Sequence, residues 1–221
     1  MKSLKTSLII SITFLGMPFL YLANIYSSLP QTVPTHFNMK GEPDDYSSKF
    51  SLVIIISLLS LLALGIFFLL RNIHKIDPRK SAQSMPGTMN KFALAIVVFI
   101  ALLNAMIVSS ALNAGFGKSK IVWCLVGLFF AYLGNLMYSI KPNYFVGIRL
   151  PWTLENKDNW RKTHQLAGKM WFVGGFLIAA LAFFIKAETF PFVMIIVLTI
   201  ITIIPSLYSF MEFKKYQKNQ L

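Results

Sequence analysis

Six long apolar runs, separated by polar and basic stretches, organise this chain of 221 residues. They extend from Leu4 to Tyr26, Phe50 to Leu70, Phe92 to Ala114, Ile121 to Ile140, Met170 to Ile185 and Phe190 to Phe210. A helix needs about 20 mainly apolar residues to cross roughly 30 Å of hydrocarbon. Backbone amides that face lipid are satisfied only inside a helix or a closed barrel. The pattern therefore predicts an all-α integral membrane protein of six transmembrane helices. The fifth run is the shortest, so its helix is expected to begin earlier, in the polar stretch before it. Pro18 and Pro205 fall inside the first and sixth runs, where kinks are expected.

Composition sharpens this picture. Hydrophobic residues make up 56% of the chain and charged residues 13%, against about 25% charged in a typical soluble domain. The basic start, Met1 to Lys5, invites comparison with a signal peptide, but the apolar run behind it exceeds an h-region of about 7–15 residues. An uncleaved first span is expected. The one cysteine, Cys124, lies within an apolar run and has no intrachain partner for a disulfide.

The net charge of +13 would suggest a nucleic-acid partner in a soluble protein. Here the cations sort by side. Only Lys40, Lys49, Lys118, Lys120 and Lys186 fall in the segments after the first, third and fifth spans. The other 16 of the 21 basic residues fall at the termini and after the second and fourth spans. Lys and Arg accumulate in cytoplasmic segments, so both termini are expected in the cytoplasm and no direct nucleic-acid contact is expected. The chain then divides into a first span (1–26), an extracytoplasmic loop (27–49), spans two to four (50–140) with a basic cytoplasmic loop (71–91), a cytoplasmic loop with an amphipathic helix (141–169), spans five and six (170–210) and a cytoplasmic tail (211–221). The turns Gly115–Lys120 and Lys186–Thr189 are tight, so recognition is expected in the three long loops.

In the outer loop, Pro30 and Pro34 favour an extended start, and Asn38 to Gly41 has turn chemistry. His36, Asn38, Glu42, Asp44 and Asp45 would hold a cation only if that turn gathered them. Their spacing matches no established metal motif, so a structured polar patch without metal or cofactor is expected. In the second inner loop, Thr153 or Asn156 can cap a helix whose first turn carries Glu155 and Asp158. Trp160, His164, Ala167 and Trp171 then recur at helical spacing, as in an interfacial amphipathic helix or a partner-binding face. Arg149, between Gly147 and the proline at 151, is a candidate clamp for a lipid phosphate or a carboxylate. No charged residue or histidine lies in mid-span, which argues against a proton pump, and no nucleotide, zinc-protease or serine-nucleophile motif appears. Nothing asks for an enzyme. A small transporter or channel using Asn104 and Asn135, or a metalloenzyme built on His36 and the outer acids, are the rival readings.

The outer segment Val33-Pro34-Thr35-His36-Phe37-Asn38, followed by Gly41-Glu42-Pro43-Asp44, resembles the front of SdpI-family proteins. Lys75-Ile76-Asp77-Pro78 is also similar to that family. So is the stretch Asn143 to Arg149 with Pro151-Trp152-Thr153-Leu154, Trp160 to His164 and Gly168-Lys169. One departure is Leu150, which stands where threonine is expected and cannot supply a hydroxyl. The resemblance implies a bacterial multi-pass membrane protein that gives immunity to a secreted toxin peptide. It also implies a signal receptor that holds a small DNA-binding autorepressor of the ArsR type at the membrane. On that resemblance, His36, Phe37, Asn38, Glu42 and Asp44 are expected to contact the toxin. Asp77, Arg149, Trp152, Trp160 and His164 are expected to serve capture and signalling inside, with membrane lipids as further partners.

Overall fold

The apolar runs form six helices in the computed structural model, which describes residues 2–38, 41–79, 85–112 and 120–218. These are α1 (Lys2–Ile25), α2 (Phe50–Ile76), α3 (Pro86–Ser110), α4 (Lys120–Met137), α6 (Lys157–Phe184) and α7 (Phe190–Lys218), with a short α5 (Pro151–Glu155) before α6. All but α5 are long and apolar enough to cross a membrane. Their outer faces suit lipid: Leu20 and Phe184 are 74% and 85% exposed. The tight turn expected at Gly115–Lys120 lies almost wholly outside the described residues, as does part of the 71–91 loop. The turn at Lys186–Thr189 is present, closed by Thr189 N–H on the Lys186 carbonyl at 3.1 Å.

Helix ends differ from the apolar boundaries because capping, not hydropathy, stops a helix. α2 runs on to Ile76 and ends where Asp77, extended ahead of Pro78, donates its N–H to the Ile73 carbonyl. α3 starts at Pro86, whose fixed φ suits a first helical position. α6 starts at Lys157, well before the fifth apolar run, because the Asn156 side chain accepts the N–H groups of Asp158 and Asn159. The early start expected for the fifth helix is thus present. The stretch expected as an amphipathic helix feeding into the fifth span is the opening of α6, continuous with its apolar part.

The outer loop contributes the only strands among the described residues, β1 (Thr32–Phe37) and β2 (Pro43–Ser48), paired antiparallel with an irregularity around Thr35. Pro34 is tolerated because the sheet has two strands, so a face of each needs no donor. Val33 is fully buried against Leu22, Leu29, Leu52 and Val108, which seats the hairpin on α1, α2 and α3. Lys49 ties its exit by donating to the Tyr26 and Leu29 carbonyls.

α3 packs against α1, α2 and α4; α4 packs against α6, and α6 against α7. The closest approach is between α4 and α6. A Cβ added to Gly127 would stand 2.6 Å from the Ala179 nitrogen, and one on Gly134 would stand 2.5 Å from the Phe172 nitrogen. Gly175 faces Ala131 and Gly168 faces Gly134 in the same way. Small residues let helix backbones touch where lipid supplies no hydrophobic drive for association. Between α2 and α3, buried Asn104 donates to Ser60 Oγ at 3.1 Å, whereas Asn135 stands exposed on α4. Helix pairing accounts for Asn104.

Gly175→Val should push α4 and α6 apart and cost about 3 kcal/mol or more, as overpacking against rigid backbone does. Gly65→Ala, with open space at its Cβ, should stay within about 1 kcal/mol of the parent. Thermal unfolding in detergent separates the two, and equal stability of the variants would remove the close contact.

Candidate functional site

Each end of the bundle carries one structured segment. At the hairpin end, the turn is closed by Asn38. Its N–H donates to the Glu42 carbonyl at 2.9 Å, its side-chain oxygen accepts the Glu42 N–H at 3.0 Å, and its carbonyl accepts from Gly41 at 2.8 Å. Gly41 has φ 72°, a left-handed conformation that glycine supplies without strain. The expected turn is present at both described ends. His36 meets Asp44 across the strands, Nδ1 to Oδ1 at 2.6 Å, with both side chains largely exposed. An ion pair so exposed adds little stability.

His36, Phe37, Asn38 and Asp44 form one wall of a cavity of about 650 Å³. The others come from α3 (Leu103, Met106, Ile107), the start of α4 (Trp123) and the α6–α7 turn (Ala187, Pro191). Four of the five outer residues singled out in the sequence meet here; Glu42 is exposed and is not among the lining residues. The chamber is apolar below and polar at the hairpin. Its size is that of a site for a small ligand or a few side chains of a larger one. Sequence reasoning did not find the α3 lining, although Leu103 and Ile107 share a face at i, i+4. In an all-apolar span such spacing does not separate a cavity face from a lipid face.

At the other end, residues 139–156 fold back over the start of α6. Asn143 is fully buried and organises the first part: its amide donates to the Lys141 and Val146 carbonyls, and its oxygen accepts from Phe145 and Val146 at 2.9 and 2.7 Å. Gly147 follows with φ 108°, and a Cβ there would collide with His164 Nε2. The same Nε2 accepts the Ile148 N–H at 3.0 Å, while Nδ1 donates to the Trp160 carbonyl at 2.8 Å. The ring is therefore the neutral Nδ1–H tautomer, since a backbone N–H can only donate. Trp160 stacks on it at 4.0 Å and donates to the Ile140 carbonyl. Thr153, also buried, accepts the Leu150 N–H and opens α5. Of the two caps the sequence offered, Asn156 serves α6 and Thr153 serves α5.

Trp160 and His164 are each 1% exposed. Both lie inside the chain, where their hydrogen bonds to Ile140, Ile148 and the Trp160 carbonyl hold the loop in place. Trp152 is half-buried against α7, its indole N–H on Ser209 Oγ at 2.8 Å and its ring beside Phe210 and Phe213. Asn159 donates to the Ser209 carbonyl as well. Arg149 is exposed and donates to the Tyr144 carbonyl at 2.7 Å, and Arg79 lies over the Tyr144 ring at 5.1 Å, so the segments after α2 and after α4 touch here. Asp77 is buried beside them. One carboxylate oxygen accepts the Arg79 N–H at 3.3 Å; the other has no hydrogen-bond partner among the described residues. Asn143 and Ser209 were not singled out in the sequence. Asn143 heads the stretch that resembles the family, but nothing in the sequence assigned its side chain a role; Ser209 carried no signal.

Gly147→Ala should destabilise this loop by about 2 kcal/mol, from the positive φ and the collision with the imidazole. Adding His164→Ala should relieve the collision but not the φ strain. Limited proteolysis between residues 141 and 156 reads both effects, and strictly additive losses would disprove the contact.

Residues 139–209, from the fold-back loop to the serine that anchors it on α7, match the SdpI/YfhL protein family. Residues 13–61, spanning α1, the hairpin and the start of α2, match a family described only as a domain of unknown function. The chain is 28% identical over 176 residues to the Bacillus subtilis protein named Immunity protein SdpI, covering 80% of this chain and 81% of that one. It is 39% identical over 57 residues to an uncharacterized protein of Archaeoglobus fulgidus, covering 26% and 31% of the two chains. No solved structure matches. With its six apolar helices, this chain is a multi-pass membrane protein whose last third, built around the fold-back loop, is similar to the SdpI/YfhL family.

Proposed function

We propose that this protein gives its cell immunity to a secreted toxin peptide, by binding and without catalysis, at the hairpin end of the bundle. The cavity of about 650 Å³ beneath His36, Phe37, Asn38 and Asp44 is the observation that carries the reading. A peptide that acts on membranes presents apolar side chains with a few polar groups. The chamber offers apolar walls from α3 and α4 and a histidine–carboxylate pair at its rim. The name of the Bacillus subtilis relative points the same way. With 16 of the 21 basic residues at the opposite end and the termini, the hairpin faces outward and both termini lie in the cytoplasm of a bacterial cell.

Filling the cavity tests this. The wild type, expressed in a toxin-sensitive host, should raise survival. Met106→Trp should lose about tenfold in protective effect at equal membrane abundance, the size expected when overpacking removes about 1.4 kcal/mol of binding. Survival unchanged by the wild type would remove the immunity reading.

The inner end supports a second role, capture of a small repressor of the ArsR type when toxin is bound. Exposed Arg149 and Tyr144, backed by Arg79, are the groups a soluble partner would meet. The repressor should sediment with membranes carrying the wild type but not with membranes carrying Arg149→Ala, at unchanged insertion. A Lys157→Cys variant on a Cys124→Ser background should react with an impermeant maleimide only after the membrane is opened. Labelling in intact cells would place this end outside and remove both the orientation and the capture.

A further inference from the structure

We propose that the crevice between α1, α2 and α3, at the end of the bundle opposite the hairpin, is a binding site for an anionic phospholipid. The crevice has a volume of about 520 Å³ and joins an apolar floor, from Leu8, Phe68 and Met89, to a basic rim, from Arg71, His74 and Lys75. An amphiphile with a phosphate headgroup and an acyl chain has that same order of polarity.

Arg71 distinguishes this site from the general excess of cations at this end. The basic residues that only mark topology extend into solvent, as Lys157 and Lys169 do. Arg71 is half-buried, its guanidinium lies over the Phe67 ring at 5.3 Å, and one N–H donates to Asn90 Oδ1 at 2.8 Å. Among the described residues no carboxylate pairs with it. Guanidinium carries five donors, so most of its hydrogen-bonding capacity faces the crevice without an anion. His74 donates its Nδ1–H to the Arg71 carbonyl at 3.1 Å, which leaves Nε2 as a further polar group at the rim. Asp77, the nearest acid in sequence, is buried and is not among the lining residues. A desolvated Arg held by an aromatic face is suited to a phosphate, which it binds bidentately. Basic pockets between membrane helices take headgroups in this way. The lipid would bridge α1, α2 and α3 at the level of the headgroups, independently of the toxin cavity at the other end.

Native mass spectrometry of the full-length protein in mild detergent tests this, with thermal unfolding as a second readout. The wild type should retain added phosphatidylglycerol and gain several degrees in Tm, with little response to phosphatidylcholine. Arg71→Gln should weaken retention about tenfold, the order expected for losing a charge-assisted hydrogen bond. Lys157→Gln, which removes one charge outside the crevice, should leave retention unchanged. Arg71→Lys, which keeps the charge, should retain lipid to an intermediate degree and guards against misfolding of the Gln variant. Equal retention of the two lipids, equal loss in the Arg71 and Lys157 variants, or stabilisation by inorganic phosphate in place of lipid would each overturn the proposal. Toxin protection plays no part in these readouts, so failure of the immunity reading leaves them standing.

Discussion

The backbone contact between α4 and α6 is the constraint on which the rest of the bundle depends. Gly127, Ala131 and Gly134 on one helix meet Gly168, Gly175 and Ala179 on the other, and no side chain larger than a methyl fits between them. In lipid, apolar side chains gain nothing by leaving their solvent, so close van der Waals contact between backbones must supply the attraction. The contact sets where α6 begins relative to the end of α4. The intervening residues then have to turn back across the first turns of α6. The buried Asn143, the left-handed Gly147 and the doubly bonded His164 are the local consequences of that return.

Apart from the Asn104–Ser60 contact between α2 and α3, the polar contacts described above lie at the two ends. The hairpin is seated by one buried valine and a lysine tether, and its polar face is left to overlook an apolar chamber. The opposite end is held by hydrogen bonds: Trp160 to the Ile140 carbonyl, Trp152 and Asn159 to Ser209, and Asn143 to its own loop. α3, α4 and α6 run between them. Side chains of α3 line the hairpin cavity, and the same helix packs on α1 and α2 beside the inner crevice. A shift of α3 or α6 would be felt at both ends of the bundle.

The cations divide into two kinds. Most are exposed, and their distribution is a matter of topology. Arg71 is different because its neighbours half-bury it and, among the described residues, none of them is an acid paired with it. Asp77 is the reverse case, a carboxylate buried with one oxygen lacking a partner close to the Arg79–Tyr144 contact.

By itself the sequence determined that the chain suits lipid and that six helices are long and apolar enough to cross it. Hydropathy and charge are summed over long windows, and no tertiary contact reverses such sums. It also pointed to the turn at Asn38, to a helix start near Asn156, and to the segments around His36 and Arg149. What it left open was which side of each span faces protein. An apolar span carries no periodicity to distinguish lipid from core, because both solvents accept the same side chains. So Leu103 and Met106 were invisible as cavity walls, and the Trp160–His164 face read equally well as a membrane belt or a partner surface. Only the tertiary structure decided that this face is buried, because its burial depends on α4 lying one backbone's width from α6, and that distance is written in the side chains the glycines lack.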